Sequence, residues 1–250
     1  MGWSKSDAIV LPLTLLAIVG ATIFLWFLLY QKEDKLKKIP LIIITLTMLI
    51  LEVIKQIKAI VEGYDFWTIP LHFCSLFLYF FPIAVFAKGK FQEFGKAMSL
   101  VCSAWLFCLF YFNPDSIIST RTTDNVFSSF STFHTFFYHH LAIAFLFISV
   151  ALGFYKINYK SLIYVLIGFT LYMAVVVPVT HLTQTNFCNM LFSNIPFMEN
   201  LRQSVGQIIY TIVMYLIGVA GGCAMCLIYI GCIKLLFKLK NKDNKADLKS

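Results

Sequence analysis

Charged residues are scarce in this chain of 250 residues. Only 13% are Asp, Glu, Lys or Arg, whereas 60% are hydrophobic, and the mean hydropathy is +0.81. A water-soluble domain usually has about a quarter charged residues, so this composition excludes that class. A cleavable signal peptide is not expected either, because the first apolar run is too long and no small-residue cleavage site follows it. We therefore expect an all-α, polytopic membrane helical bundle.

The sequence also lacks the features typical of nucleic-acid binding, a disulfide framework and a zinc site within one helix. The net charge of +8 does not indicate nucleic-acid binding, because the basic residues lie in loops and at the tail rather than on one aromatic-rich face. The seven cysteines lie mostly in apolar segments and predict no disulfide framework. No predicted helix has two histidines at the spacing of a zinc site, so we expect neither metal nor cofactor. A zinc site with ligands from separate helices stays open.

Seven apolar runs are long enough to cross the roughly 30 Å hydrocarbon core of a bilayer. They are 8–30, 40–60, 69–87, 97–112, 133–154, 162–180 and 207–237. We assign residues 1–238 to a single transmembrane domain. Residues 239–250 form a basic segment whose composition is typical of disorder.

The loop charges predict the orientation. Fifteen of the 20 basic residues lie in the tail and in the three connections that share its side of the membrane. The positive-inside rule places that side in the cytoplasm and the N-terminus outside a cell membrane. The two long loops, 113–132 and 181–206, then face outside. Functional residues are disproportionately found on long loops, so we expect the working face there.

Ionisable and amide side chains collect near the outer ends of the predicted helices. An ionisable residue at membrane depth is costly and indicates function, and histidine is the usual residue for proton transfer near neutral pH. The set comprises His72, His134, His139, His140, His181, Glu52, Asn113, Asp115, Tyr138, Asn186 and Asn189. Such a layer predicts a site in the outer leaflet. The alternative is that the histidines merely anchor helices at the interface.

Four short motifs resemble, in order, those of the bacterial YwaF-type integral membrane family. They are Pro-Leu-His-x-Cys at 70–74, Asn-Pro-Asp at 113–115, Phe-Phe-x-His at 136–139 and Thr-Asn-Phe at 185–187. That family is related to a eukaryotic multi-pass TMEM-type family that builds ether phospholipids by acyl transfer. The segment 186–191 is similar to an Asn-x-Asn-Asn-Met-Leu stretch of this relative.

The resemblance implies acyl transfer to a lysolipid, or lipid ester hydrolysis, in a bacterial plasma membrane. His139 would be the general base, with His72 as its orienting residue or a second acid. The cysteine of the relative falls on Leu71 in this chain, so Cys74 is the candidate nucleophile and direct attack by the acceptor stays open.

Supporting roles follow from the same hypothesis. Asn186 and Asn189 would donate hydrogen bonds to a developing oxyanion, and Glu52 would fix a histidine tautomer. Membrane phospholipids and lysolipids are the expected partners.

Two non-enzymatic functions are the alternatives. In a transporter of a small solute or ion, Glu52 and Lys55 would line the pathway. Few ionisable residues in the inner halves of the predicted helices, and the lack of an inverted repeat, count against this. A membrane scaffold is the other alternative, and the sequence neither supports nor excludes it.

Overall fold

The described chain is helical from end to end. A computed structural model describes residues 4–112, 114, 123–193 and 195–247, and these ranges contain no β-strand. The α-helices are α1 (Lys5–Leu29), α2 (Asp34–Lys37), α3 (Ile39–Glu62), α4 (Phe77–Phe86), α5 (Gly89–Phe112), α6 (Phe130–Ala151), α7 (Ser161–Thr183) and α8 (Pro196–Asp247). Short 3₁₀ helices cover Phe66–Thr68, Phe73–Leu76 and Phe187–Asn189.

The prediction of a polytopic helical bundle is confirmed. Among the described residues, six helical segments are long and apolar enough to cross a membrane, and the apolar helix Phe73–Phe86 is shorter. One of the six segments, Asp34–Glu62, includes both α2 and α3. Another comprises the part of α8 from Pro196 to Leu236. The six and the shorter helix together account for the seven apolar runs.

Three predicted boundaries were wrong for identifiable reasons. Pro70 disfavours a helical residue before it, and the chain then turns at Pro70 and Leu71, so the third helix begins at Phe73 and His72 precedes it. The fourth begins at Gly89 rather than at residue 97, because a polar first turn does not prevent a helix. The last begins at Pro196, inside the predicted loop 181–206, and is interrupted at Gly206, whose φ is 79°.

The helices α5 and α6 form the centre of the bundle. Both are 56% buried over their most apolar stretch. The helix α5 contacts α4, α6, α7 and α8, and α6 also contacts α1 and α3. The approach of α4 to α5 requires a residue without a side chain, since a Cβ at Gly95 would lie 2.5 Å from the backbone nitrogen of Ala84.

Successive long helices run in opposite directions, which gives the bundle two chemically different ends. We call the end where α1 finishes and α3 begins the basic end, because Lys35, Lys37 and Lys38 lie there. We call the opposite end, where α3 finishes and α6 begins, the histidine end. The N-outside orientation stays a prediction.

Candidate functional site

The first turns of α6 carry the three clustered histidines. Ser129 starts this helix with a capping box, in which its side chain accepts from the Thr132 N–H and the Thr132 side chain accepts in return. This start fixes the helical register. His134, His139 and His140 all lie buried within the bundle.

The ring of His139 is held at one nitrogen. Its Nδ1 lies 2.6 Å from the Thr135 carbonyl oxygen, which can only accept, so Nδ1 carries the proton. The neutral ring then presents a lone pair at Nε2. Within the described residues, no donor is hydrogen-bonded to this Nε2. The ring is only 6% exposed, so a bound substrate rather than bulk water is the natural proton donor to it.

His140 is held at both nitrogens. Nδ1 lies 2.7 Å from the Phe136 carbonyl oxygen and Nε2 lies 2.9 Å from the Thr14 hydroxyl of α1. Since the carbonyl requires a protonated Nδ1, the neutral ring accepts from Thr14 at Nε2. The His140 ring therefore ties α6 to α1 and is not free to exchange a proton.

Glu52 lies near the middle of α3, close to His134 of α6. The carboxylate accepts from the Lys55 ammonium at 3.1 Å and from the Gln56 amide at 2.6 Å. His134 Nε2 lies 3.4 Å from Glu52 Oε2, although the contact lacks hydrogen-bond geometry and this nitrogen has no hydrogen-bond partner in the described chain. Glu52 therefore lies beside His134, so it is placed to orient that ring.

Lys55 links the three parts of the site. Its ammonium is close enough to His72, Cys74 and His139 to interact electrostatically with each of them. The Lys55 side chain is 30% exposed, whereas Glu52 is 9% exposed. A cation at the edge of a buried histidine layer is suited to stabilising negative charge that develops there.

Tyr138 adds an unpaired hydroxyl to the same region. The side chain is 3% exposed, and its oxygen has no hydrogen-bond partner in the described part of the chain. It lies near Cys74 and Glu52, and its ring stacks on His134 with centroids 5.0 Å apart. Buried hydroxyls are nearly always paired, so this one indicates a place for a ligand or water.

His72 packs between two aromatic rings just before the helix Phe73–Phe86. Its centroid lies 4.3 Å from that of Trp67 and 5.0 Å from that of Phe187, and its Nε2 lies 3.1 Å from the Trp67 carbonyl oxygen. Burial lowers the pKa of His72 below its ordinary value of 6.5, the Trp67 carbonyl opposes this shift, and the Lys55 charge adds to it. No hydrogen bond or ring contact joins His72 to His139 among the described residues.

Cys188, in the loop after α7, lies close to the turn before His72. Its sulfur lies 2.6 Å from the Tyr172 hydroxyl, which donates to the Leu71 carbonyl oxygen at 2.8 Å. The backbone of Cys188 is left-handed, with φ of 51°. Burial raises the pKa of Cys188 to about 12, so its thiol is protonated at neutral pH. These contacts bring two of the motif segments, 70–74 and 185–187, together.

The two loop asparagines take part in hydrogen bonds that hold their own loop, and their role as oxyanion donors stays a prediction. The Asn186 side-chain oxygen accepts from the Leu191 N–H at 2.8 Å, and its amide donates to the Phe192 carbonyl at 3.0 Å. The amide thus closes its own loop and has one hydrogen left for an oxyanion. The backbone carbonyl of Asn189 accepts from the Tyr210 hydroxyl at 2.8 Å.

One described residue of the predicted set is not gathered into this cluster. His181 is exposed near the end of α7. Asn113 and Asp115 lie outside the residues that the structure describes. No group of three or more His, Cys, Asp and Glu side chains in the described ranges has the arrangement of a metal site, and metal independence stays a prediction.

Sequence reasoning missed several contributors. Lys55 is recognisable as an intramembrane cation three residues from Glu52, but the sequence indicates only a transport pathway or a structural pair with that carboxylate. Thr14 and Tyr172 gave no sequence signal, because a hydroxyl in an apolar helix usually bonds a carbonyl of its own helix. The Val10 carbonyl, 3.0 Å from the Thr14 hydroxyl, is an alternative acceptor to His140 for its single hydrogen. Their roles depend on which helix lies opposite.

Comparison with known proteins identifies a family but no characterised relative. Residues 2–230 match the TMEM164 family, so the match includes every residue of the candidate site. No curated protein and no solved structure matches the chain.

Proposed function

The chain belongs to the TMEM164 family, and on this basis we propose that it is an integral membrane enzyme that transfers an acyl group between lipids, or to water, with His139 as general base. The supporting observation is the His139 ring, whose Nδ1 is fixed by the Thr135 carbonyl while its Nε2 has no described partner. The substrates would be phospholipids and lysolipids of a bacterial plasma membrane, as the motifs at 70–74 and 136–139 suggest by resemblance.

The reaction needs no group beyond the chain and its substrates. His139 Nε2 takes the proton from a lysolipid hydroxyl, and the oxygen attacks the ester carbonyl of the donor lipid. The tetrahedral intermediate collapses, its bond to the leaving oxygen breaks, and His139 returns the proton to that oxygen. With water as acceptor, the same steps yield a free fatty acid and a lysolipid.

The developing oxyanion would be stabilised by two groups near the histidine. Tyr138 supplies a buried hydroxyl without a described partner, and Lys55 supplies positive charge. A hydrogen-bond donor placed for an oxyanion typically lowers the activation free energy by about 3 kcal/mol. Asn189 remains a candidate donor, whereas Asn186 is largely occupied by its own loop.

A covalent mechanism, with Cys74 as the nucleophile, is the alternative to direct attack by the acceptor hydroxyl. His139 would take the thiol proton, the sulfur would attack the donor ester, and a thioester would form as the lysolipid leaves. The acceptor hydroxyl would then displace the thiol and take over the acyl group. Nucleophilic thiolates require a nearby base or cation, and Lys55 interacts electrostatically with Cys74.

A solute or ion transporter is the second candidate, and one observation favours it. Buried hydroxyls lie in the basic half of the bundle, on Ser99, Ser103, Ser149 and Tyr155. The Ser149 and Tyr155 oxygens have no hydrogen-bond partner in the described chain. Polar groups on both sides of the histidine layer would extend a pathway that the sequence did not indicate.

The two functions are separated by reconstitution. Purified protein is placed in vesicles that contain a phospholipid with a labelled acyl chain and an unlabelled lysolipid, and labelled product is measured. We expect His139→Ala to insert normally and to reduce turnover by about 10²-fold, the usual contribution of general acid–base catalysis. Unchanged turnover in Cys74→Ala would select direct attack. No turnover in wild type, with a solute or ion flux that His139→Ala alters, would reject the enzyme in favour of the transporter.

A further inference from the structure

An open apolar groove lies at the basic end of the bundle. Its volume is about 420 Å³. The lining includes Leu25 and Leu29 of α1, Leu36 of α2, Pro40 and Ile43 of α3, and Ile148 of α6. Because a helix rises about 1.5 Å per residue, Ile148 lies about 14 Å along α6 from His139. The groove is therefore separate from the candidate site.

Lysines flank the groove where it meets the basic end. Leu36 lies between Lys35 and Lys37, and Lys38 directly precedes the start of α3. Within the described residues, none of these three lysines forms a salt bridge. Their charges therefore remain available to an anion at the edge of the groove.

Other lysines extend the positive field around Lys38. Lys96 of α5 and Lys156, in the connection after α6, both belong to the basic end. Lys96 lies near Lys38 and Lys156 as well as near Asp34 and Glu93. Residues 32–38 contain four lysines and two acids, so the formal charge there is positive with the neighbouring acids included.

We propose that this groove binds one acyl chain of an acidic phospholipid, whose negative headgroup lies against Lys35, Lys37 and Lys38. A neutral lipid would fill the groove but leave the lysine charges uncompensated. A second copy of the chain would bring its own lysines to the same place and would be repelled. Basic residues beside transmembrane helices attract anionic headgroups, and a groove of this size lies within the usual range of ligand pockets. The proposal holds whether or not the chain transfers acyl groups.

Binding is measured on the purified full-length protein in neutral detergent. Phosphatidylglycerol or phosphatidylcholine with identical acyl chains is added, and retained lipid is counted by native mass spectrometry. We expect phosphatidylglycerol to be retained at least about tenfold more strongly. Each lysine replaced by glutamine should weaken it about fivefold, so Lys35→Gln/Lys37→Gln/Lys38→Gln should abolish the preference.

Matched controls test the location. Lys88→Gln/Lys90→Gln/Lys160→Gln removes three exposed lysines elsewhere at the basic end and should retain the preference. Ile43→Trp fills the groove and should weaken both lipids. Ile50→Trp is the control, because Ile50 also lies on α3 and is 59% exposed against 58% for Ile43. Ile50 does not line the groove, so its replacement should leave the binding of both lipids unchanged.

Three results would overturn the proposal. They are equal retention of the two lipids by wild type, equal loss in both lysine triples, and equal effects of the two tryptophans. A change of oligomeric state confined to Ile43→Trp would instead assign the groove to a second copy of the chain. Size-exclusion profiles of every variant verify that loss of lipid does not reflect loss of folding.

Discussion

His139 and His140 are adjacent in α6, yet their rings are bonded differently. Both nitrogens of His140 have partners, the Phe136 carbonyl and the Thr14 hydroxyl, whereas His139 is held only at Nδ1. Successive residues of a helix point about 100° apart, so the His140 ring is hydrogen-bonded to α1, whereas no such bond is formed by His139 within the described residues. His140 thus stabilises the packing of α6 against α1, whereas His139 Nε2 has no hydrogen-bond partner among the described residues.

We expect His140→Ala to reduce stability more than activity. The change removes a buried ring with two hydrogen bonds, a loss of about 2 kcal/mol in the free energy of unfolding. Turnover per folded molecule should stay within about threefold of wild type, in contrast to the roughly 10²-fold loss for His139→Ala. Unfolding curves in detergent and the acyl-transfer assay measure the two effects. Thr14→Val, which removes only the α1 partner, should show part of the stability loss. The reverse pattern, with intact stability and lost turnover, would contradict the assignment.

Replacing Lys55 should cost more stability than replacing its partner Glu52. Lys55→Met leaves a carboxylate that is 9% exposed without its cation, whereas Glu52→Gln leaves a lysine that is 30% exposed and can reach water. We expect Lys55→Met to destabilise by about 3 kcal/mol, and Glu52→Gln by less. The double variant should recover most of the loss, because no buried charge remains.

Lys58→Met is the matched control on the same helix. Its partner Glu62 is 60% exposed, and exposed pairs contribute about 0–1 kcal/mol. Equal losses in Lys55→Met and Lys58→Met, measured by thermal unfolding, would show that the Glu52 carboxylate is solvated rather than buried.

The sequence predicted the bundle and its histidine layer but not the connections within that layer. Apolar runs of membrane length are sufficient to assign helices. Pro70 could have moved the third helix start only to the proline itself, because Pro is favoured at the first helical position. The association of Lys55 with His72, Cys74 and His139 could not be predicted, because it depends on how three separate segments pack. Cys188 was placed in a loop, yet its left-handed backbone and its contact with Tyr172 are tertiary features.

Tyr172→Phe tests the contact between the two motif segments. The variant removes the hydroxyl that bonds the Leu71 carbonyl and Cys188, and it leaves a buried carbonyl with a weaker partner. We expect a loss of about 1–2 kcal/mol and faster amide exchange around His72. Tyr215→Phe removes a hydroxyl that bonds only the exposed Thr170 and should cost less. Equal stability of the two variants would mean that the loop is held by packing alone.

The orientation is testable by cysteine labelling. Asn125→Cys, next to α6 at the histidine end, should react with an impermeant reagent in intact cells, because the basic loops are predicted to lie inside. Lys160→Cys, at the basic end before α7, should react only after permeabilisation. Both side chains are exposed, so access rather than burial decides the result. Labelling of Lys160→Cys alone in intact cells would reverse the orientation and place the histidine end in the cytoplasm.

The final prediction concerns His72 and pH. Burial lowers the pKa of this imidazole below 6.5 in the folded chain, whereas in the unfolded chain it stays near that value. At pH values between these two pKa values the unfolded state binds more protons, so stability falls as the pH drops through 6.5 and is unaffected above it. We expect the melting temperature of wild type to fall more between pH 7.5 and pH 5 than that of His72→Gln, which retains a donor for the Trp67 carbonyl. The exposed replacement His181→Gln should follow wild type. Parallel profiles for wild type and His72→Gln would show that His72 titrates as freely in the folded protein as in the unfolded chain, and is not held neutral between Trp67 and Phe187.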